Sequence, residues 1–350
     1  MNLKMKTLAA AMIAAGSMAS AQAAEILFPY VVNSSTVTTV VNVINHAFAD
    51  TNELHYVLWY KDGATAEDNG ANCLETNSMR SSSFGDIQTI DLGGKFGTTT
   101  LGVLFNDPSV NNNYMAAGLS YAYASFAKKP MRGWLMVQDE IVAHPSASGP
   151  AAAGRLQGEA MVFDFSTGAA WGYQAGTDDA ANGSTFDASS VAFENAGAGA
   201  GIAYVGIAPF AETTTKFFVT PLVDNGGMLQ PSGNNNDNAS GTKDGYRIFL
   251  GDGFFAMFDR DENVYSGSVP QDVTCVGAVD APTLLSGATL SQLPNGGWSW
   301  LFGQARGTGV AGKDVVNAAV IKLDYNTAST FNGASVPGVF NNAFVLKSQF

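Results

Sequence analysis

Residues 26–44, ILFPYVVNSSTVTTVVNVI, give the clearest indication of the fold. Segments 26–32 and 36–44 are rich in valine, isoleucine, threonine and aromatic residues, which pack well on a pleated, half-buried surface. Each segment therefore predicts a β-strand. Pro29 lacks an amide proton, so we expect it at a strand start, an edge or a bulge.

Strand signals continue along the chain. Residues 54–60, LHYVLWY, are apolar on both alternating faces, which is typical of a strand covered on both sides. Residues 159–173 predict a β-hairpin that turns at Ser166-Thr167-Gly168. Further strands are predicted at 86–92, 133–142, 216–222, 246–250, 318–325 and 343–350.

Helical signal is sparse. A short helix is predicted at 280–286 and another turn at 290–293, while 114–127 fits either helix or strand. Asn, Gly and Ser collect in loops at 178–184, 197–201 and 231–245. We therefore predict an all-β fold with at most minor α-structure. It is a large antiparallel β-sandwich-like domain with long Gly/Asn-rich loops, formed by residues 25–350 as a single unit.

The composition excludes several classes of protein. Seventeen Lys and Arg residues stand against 30 Asp and Glu, which gives a formal net charge of −13. Proteins that bind nucleic acid or anionic membranes need clustered cations, so neither partner is expected. Charged residues are only 13% and apolar residues 46%, which excludes a disordered acidic tail. Thirty-nine glycines favour a turn-rich β architecture.

The first 24 residues have the features of a secretory signal peptide. Lys4 and Lys6 precede an apolar stretch at 8–18, and Ala21-Gln22-Ala23 fits the cleavage pattern. The apolar stretch is too short to span a bilayer comfortably, and no later segment has 18 consecutive apolar residues. We expect an exported protein without a helical membrane span, located in the periplasm, at the cell surface or in the medium.

Cys73 and Cys275 are the only cysteines. An exported chain can oxidise such a pair, and the alternative is two separate buried thiols. A bond between them would close a loop of about 200 residues, which stabilises by at most roughly 5 kcal/mol in the chain-entropy model. It would also join early and late parts of the chain, which favours one co-folded unit.

Catalytic motifs are absent from the sequence. The histidines are His46, His55 and His144, and none belongs to a hydrolase, zinc or redox motif. Residues 307–313 have the spacing of a phosphate-binding loop, but Asp314 stands where the magnesium-binding Ser or Thr is needed. A Gly-rich turn is the preferred interpretation. We expect that the protein is not an enzyme.

One group of acidic side chains has a spacing that could bind a metal ion. Its members are Asp252, Asp259, Asp261 and Glu262. Calcium prefers several carboxylate and carbonyl oxygens, which closely spaced acids in a turn can supply. The spacing does not match an EF-hand, and Arg260 neutralises part of the charge. We expect at most a weak structural calcium site and no other cofactor.

Trp298 and Trp300 are two residues apart, so they lie on the same face of any strand that contains them. Exposed, they would form an aromatic platform on which sugar rings stack. The alternative is packing into the core, which the sequence does not exclude.

Several segments resemble an uncharacterised group of exported, β-rich proteobacterial proteins. Together they span most of the chain beyond residue 24. The segments are ILFPYV at 26–31, TTVVNV at 38–43, GAAWGY at 168–173, TKFFVTP at 215–221, VTCVG at 273–277 and GGWSW at 296–300. The resemblance implies export and a β fold. No activity is known for that group, so no catalytic residue is carried over.

We expect an exported, non-enzymatic envelope or cell-surface protein with a structural or binding role, whose partners are other envelope components or further copies of itself. One alternative is an outer-membrane β-barrel such as a porin, which the terminal Phe350 and the alternating pattern of residues 343–350 favour. Another alternative is a secreted carbohydrate-binding or hydrolytic protein.

Overall fold

The computed structural model describes most of the predicted strands. The described residues are 25–46, 52–83, 85–93, 103–105, 130–140, 156–166, 168–177, 188–193, 201–207, 213–225, 228–231, 245–251, 256–306, 315–326, 330–331, 334–335 and 341–347. The predicted signal peptide, the ambiguous segment 114–127 and the phosphate-loop-like segment 307–313 lie outside them.

Twenty-three strands are assigned within the described residues. The first twelve are β1 Glu25–Asn33, β2 Val37–Asn45, β3 Asn52–Asp62, β4 Leu74–Ser82, β5 Ile87–Asp91, β6 Val103–Phe105, β7 Met131–Glu140, β8 Leu156–Asp164, β9 Ala169–Gln174, β10 Gly176–Thr177, β11 Gly201–Ile207 and β12 Thr213–Asn225. The others are β13 Met228–Pro231, β14 Gly245–Leu250, β15 Met257–Phe258, β16 Val264–Tyr265, β17 Gln271–Val273, β18 Gly277–Asp280, β19 Gly297–Arg306, β20 Val315–Asn326, β21 Thr330–Phe331, β22 Ala334–Ser335 and β23 Asn341–Leu346.

The strands form four antiparallel sheets and one small hairpin, β21–β22. Sheet I has the order β10-β1-β7-β3-β4, and sheet II has the order β6-β5-β2-β8-β9. Sheet III has the order β13-β12-β20-β23, and β18 also pairs with β12. In sheet IV, β19 pairs with β11, β14 and β15, while β17 pairs with β14 and β16 with β15. The predicted all-β, sandwich-like fold is confirmed.

Two hydrophobic cores lie on opposite faces of sheet III. The first core contains side chains of sheets I and II together with Phe218 and Ile321. The second contains side chains of sheet IV together with Phe217 and Val320. Because side chains alternate along a strand, neighbours on β12 and β20 enter different cores. Residues 217–222 and 317–323 are accordingly buried without interruption, as in a sheet covered on both sides.

Most predicted strands are present, including the hairpin β8–β9 around 166–168. The helix predicted at 280–286 is only a 3-10 turn, and the turn predicted at 290–293 overlaps the end of an α-helix. Asp280 ends β18, a 3-10 turn follows at Ala281–Leu284, and the helix α1 occupies Gly287–Gln292. The reason is a cap: the Ser286 hydroxyl accepts a hydrogen bond from the amide of Thr289, which starts the helix there. Among the described residues, no helix is long and apolar enough to cross a membrane.

A polar junction surrounds the predicted disulfide, which the structure contains. The Cα atoms of Cys73 and Cys275 are 6.0 Å apart, and both side chains belong to the first core. Nearby, the buried Lys61 ammonium donates to the carbonyls of Asp68, Asn69 and Val276. Three acceptors compensate a charge that would otherwise be costly to bury. The junction thus ties β3 and the loop before β4 to the segment between β17 and β18.

Candidate ligand-binding face

The outer side of sheet IV carries partly exposed aromatic side chains. Along β19, Ser299 and Leu301 point inward and are buried, whereas Trp298, Trp300 and Phe302 alternate with them on the other side and stay partly exposed. This alternation follows from the strand repeat of two residues. The inward residues belong to the strand side that faces the second core, so the outward residues are left for solvent or a ligand.

Neighbouring strands extend this pattern into rows across the sheet. We define the aromatic face as the side chains of Tyr204, Phe249, Phe258, Trp298, Trp300 and Phe302. In the first row Phe258 pairs with Trp298, and Trp298 pairs with Gly206. In the second row Trp300 pairs with Tyr204, and in the third Phe302 pairs with Phe249. None of the six belongs to either hydrophobic core.

The rings of the aromatic face contact one another closely. Phe258 stacks on Trp298 with centroids 4.3 Å apart and an interplanar angle of 6°. Trp298 and Trp300 meet edge to face at 5.2 Å, and Tyr204 lies 5.7 Å from Trp300. Such pairs are favourable for aromatic quadrupoles, so the cluster holds its own shape. Tyr204 is nevertheless 48% exposed, which leaves a large ring surface for a partner.

An open slot lies beside Trp298 in the first row. A Cβ atom placed on Gly206 would have no other heavy atom of the described residues within 4 Å. Phe258 covers the ring of Trp298 from the β15 side, and Gly206 is its neighbour on the β11 side. The absence of a side chain at 206 therefore leaves room for a flat group beside the indole of Trp298.

A polar group borders the aromatic face at the other end of β19. Arg247 donates two hydrogen bonds to the Asp272 carboxylate, at 2.7 and 2.9 Å, and the Arg306 guanidinium lies 3.6 Å from the same carboxylate. These hydrogen bonds hold the pKa of Asp272 below its usual range and raise the pKa of Arg247. Gln304, the partner of Arg247 in the register, is exposed. Planar hydrogen-bonding groups therefore lie next to the third aromatic row.

The predicted acidic cluster is a turn between β15 and β16. The carboxylate of Asp259 accepts hydrogen bonds from the backbone amides of Asp261 and Asn263, each at 2.8 Å. It also accepts from the Asn263 side chain and the Tyr265 hydroxyl, each at 2.9 Å. These bonds, chiefly that from the Asn263 side chain, lower the pKa of Asp259. The carboxylate therefore organises the turn.

The other members of the acidic cluster are Asp261 and Glu262, which are exposed, and Asp252, which lies outside the described residues. No three His, Cys, Asp or Glu side chains of the described part of the chain are grouped as metal ligands. The weak calcium site stays a prediction, because one of its four side chains is not described.

One further sequence candidate within the described residues belongs to another sheet. His55 lies in β3 of sheet I, and His144 and Asp314 lie outside the described residues. The sequence predicted Trp298 and Trp300 as a pair, and the structure brings them together on the outer side of β19. Sequence reasoning missed the other four members of the aromatic face, Tyr204, Phe249, Phe258 and Phe302. The alternation in GIAYVGI at 201–207 could have indicated that the side chains of Tyr204 and the buried Val205 lie on opposite faces of this strand.

Comparison with known proteins gives little further information. No protein-family model matches the chain, and no curated protein matches it. Among solved structures, the chain is similar to a presumed secreted protein from Parabacteroides distasonis. That similarity covers 88% of this chain and 85% of the other at 9% identity, with a TM-score of 0.19.

Proposed function

We propose that the protein is an exported, non-enzymatic component of the cell envelope or cell surface that binds a partner through the aromatic face. The observation that carries this proposal is the cluster of six aromatic side chains that lie outside both cores and remain partly exposed. Soluble proteins seldom leave contiguous aromatic surface in water unless a ligand or partner uses it.

Export is supported by the signal-peptide pattern of residues 1–24 and by the Cys73–Cys275 disulfide, which persists in oxidising compartments. A binding role is supported by the groups beside the face. Arg247 and Arg306 both pair with Asp272, so the polar side chains beside the face form an ion-pair cluster that can hydrogen-bond a ligand.

Cell fractionation combined with a surface variant tests this proposal. We expect the wild-type protein outside the cytoplasm and retained on washed envelope fragments. The double variant Trp298→Ala/Trp300→Ala should fold and be exported but lose most of that retention. Phe165→Ala is the matched control, because Phe165 is an exposed aromatic side chain in the turn after β8, beside sheet II and not sheet IV.

Two results would contradict the proposal. Retention that is equal in the wild-type protein and the double variant would show that another surface binds. Recovery only from detergent-extracted membranes would show that the protein is embedded in lipid and would make the outer face of sheet IV a lipid contact.

A further inference from the structure

We infer that the aromatic face binds a linear, uncharged polysaccharide that lies along β19, with sugar rings stacked on Trp298, Trp300 and Tyr204. This inference rests on the proposed function and specifies the ligand of the same site. Sugar rings present an apolar face of C–H groups and a rim of hydroxyl groups. They therefore match a surface that combines flat aromatic rings with planar hydrogen-bonding side chains.

The slot at Gly206 gives the first stacking position. Because Phe258 already covers one side of Trp298, a ligand ring must approach from the β11 side, where Gly206 leaves the space open. Tyr204 borders the same space, with its ring centroid 6.2 Å from that of Trp298 and tilted by 49°. A flat ring in this slot would contact two aromatic side chains, and so lose more water-exposed surface than it would on an isolated tryptophan.

The row spacing favours an extended chain over a single sugar. Outward positions on β19 repeat every two residues, or about 7 Å, so Trp298, Trp300 and Phe302 line a track of about 13 Å. The track leads to Gln304 and to the Arg247–Asp272 pair. These groups can bond hydroxyls at the end of the track. From Gly297 to Gly303 β19 pairs with β11, and from Leu301 to Arg306 it pairs with β14, so an added peptide strand would have to pair with an outer strand and not along most of β19.

Charge selects against the other occupants. The six aromatic residues carry no charge, and the whole sequence has a formal charge of −13. Anionic polymers and anionic lipid surfaces are repelled by such a protein, and two copies of the chain repel each other. At the polar end, Arg247 and Arg306 share the single carboxylate of Asp272, which leaves one net positive charge there and makes the anionic comparison a necessary part of the test. Of these partners, a neutral polysaccharide is the one that the negative charge of the protein does not repel.

Binding of defined polysaccharides to the purified full-length mature protein tests the inference. The probes are hydroxyethyl cellulose, soluble β-1,3-glucan and galactomannan as neutral chains, and polygalacturonate as the anionic comparison. Affinity electrophoresis and tryptophan fluorescence report the binding. We expect at least one neutral chain to bind and polygalacturonate not to bind.

Three variants locate the site. Trp298→Ala should weaken binding by about tenfold or more, because it removes a stacking surface. Gly206→Leu should weaken it similarly by filling the slot, and circular dichroism should show an unchanged fold, since the position is open. Phe165→Ala should bind as the wild-type protein does.

Other outcomes overturn the inference. If no neutral chain binds, or if Gly206→Leu binds as tightly as the wild-type protein, the ligand class or its position is wrong. If envelope retention is still lost in Trp298→Ala/Trp300→Ala, the proposed function survives and only the polysaccharide is rejected. If sedimentation shows a dimer that Trp298→Ala dissociates, the occupant is a second copy of the chain.

Discussion

Two segments carry nearly the same aromatic pattern, but different parts of the protein lie against them. Trp171-Gly172-Tyr173 lies in β9, and Trp298-Ser299-Trp300 lies in β19. In both, a tryptophan stacks on a phenylalanine at an interplanar angle of 6°, with Trp171 on Phe218 and Trp298 on Phe258. The local geometry of the rings is therefore alike, and the pattern alone does not distinguish the two segments.

The difference lies in what faces each strand. Phe218 comes from sheet III and stacks on Trp171 of β9, which is partly buried against the first core. Tyr173 is only 8% exposed, and its hydroxyl donates to the carbonyl of Tyr30. Burial raises the pKa of Tyr173 well above its usual range, which keeps this donor protonated. No sheet of the described residues closes over the outward side of β19. Aromatic side chains at this spacing therefore join a core or stay on an outer face according to which sheet lies against them.

The largest loss of stability should come from removing the disulfide at the polar junction beside the first core. The double variant Cys73→Ala/Cys275→Ala removes a bond across 202 residues, and we expect the free energy of unfolding to fall by about 3–5 kcal/mol. Urea unfolding measures it, and thiol labelling of the denatured wild-type protein should find no free thiol. A single cooperative transition in the wild-type protein would support one unit, whereas two transitions would show that the two cores unfold separately.

Two single substitutions, one in each region, test the comparison between the two aromatic segments. Phe218→Ala removes a ring that is 6% exposed and whose centroid lies 4.0 Å from that of Tyr30 and 5.2 Å from that of Trp171. We therefore expect the free energy of unfolding to fall by about 3–5 kcal/mol. Trp300→Ala removes a larger but partly exposed ring, and should cost about 1 kcal/mol. Equal costs in urea unfolding would show that the aromatic face is part of the core and would argue against a binding surface.

The smallest effect concerns the polar border of the aromatic face. Hydrogen bonds from Arg247 hold the pKa of Asp272 below its ordinary value of 3.8. A carboxyl with a lowered folded-state pKa stabilises the fold above its unfolded-state pKa and loses that contribution as the pH falls through the folded value. We therefore expect a small loss of stability below about pH 4 that Asp272→Asn does not show. Identical acid profiles of the two proteins would show that this pair does not stabilise the fold.

Several features could be predicted from the sequence because they depend on neighbours along the chain. The β-branched and aromatic composition of 26–32 and 36–44 indicated strands, and the only two cysteines indicated the bonded pair. The two-residue spacing of Trp298 and Trp300 put them on one face. The short helix was displaced because capping depends on one hydroxyl, that of Ser286, and a coarse composition pattern does not locate it.

What the sequence by itself determined is therefore the strand content, the acidic charge, the disulfide partners and the shared face of the two tryptophans. Only the tertiary structure decided that this face points away from the second core, and that Tyr204 and Phe258, distant in sequence, join it. The physical reason is that the two-residue repeat of a strand places side chains on two faces but does not determine which face is buried. Which face is buried depends on which sheet supplies a matching apolar surface, and that surface comes from remote parts of the chain.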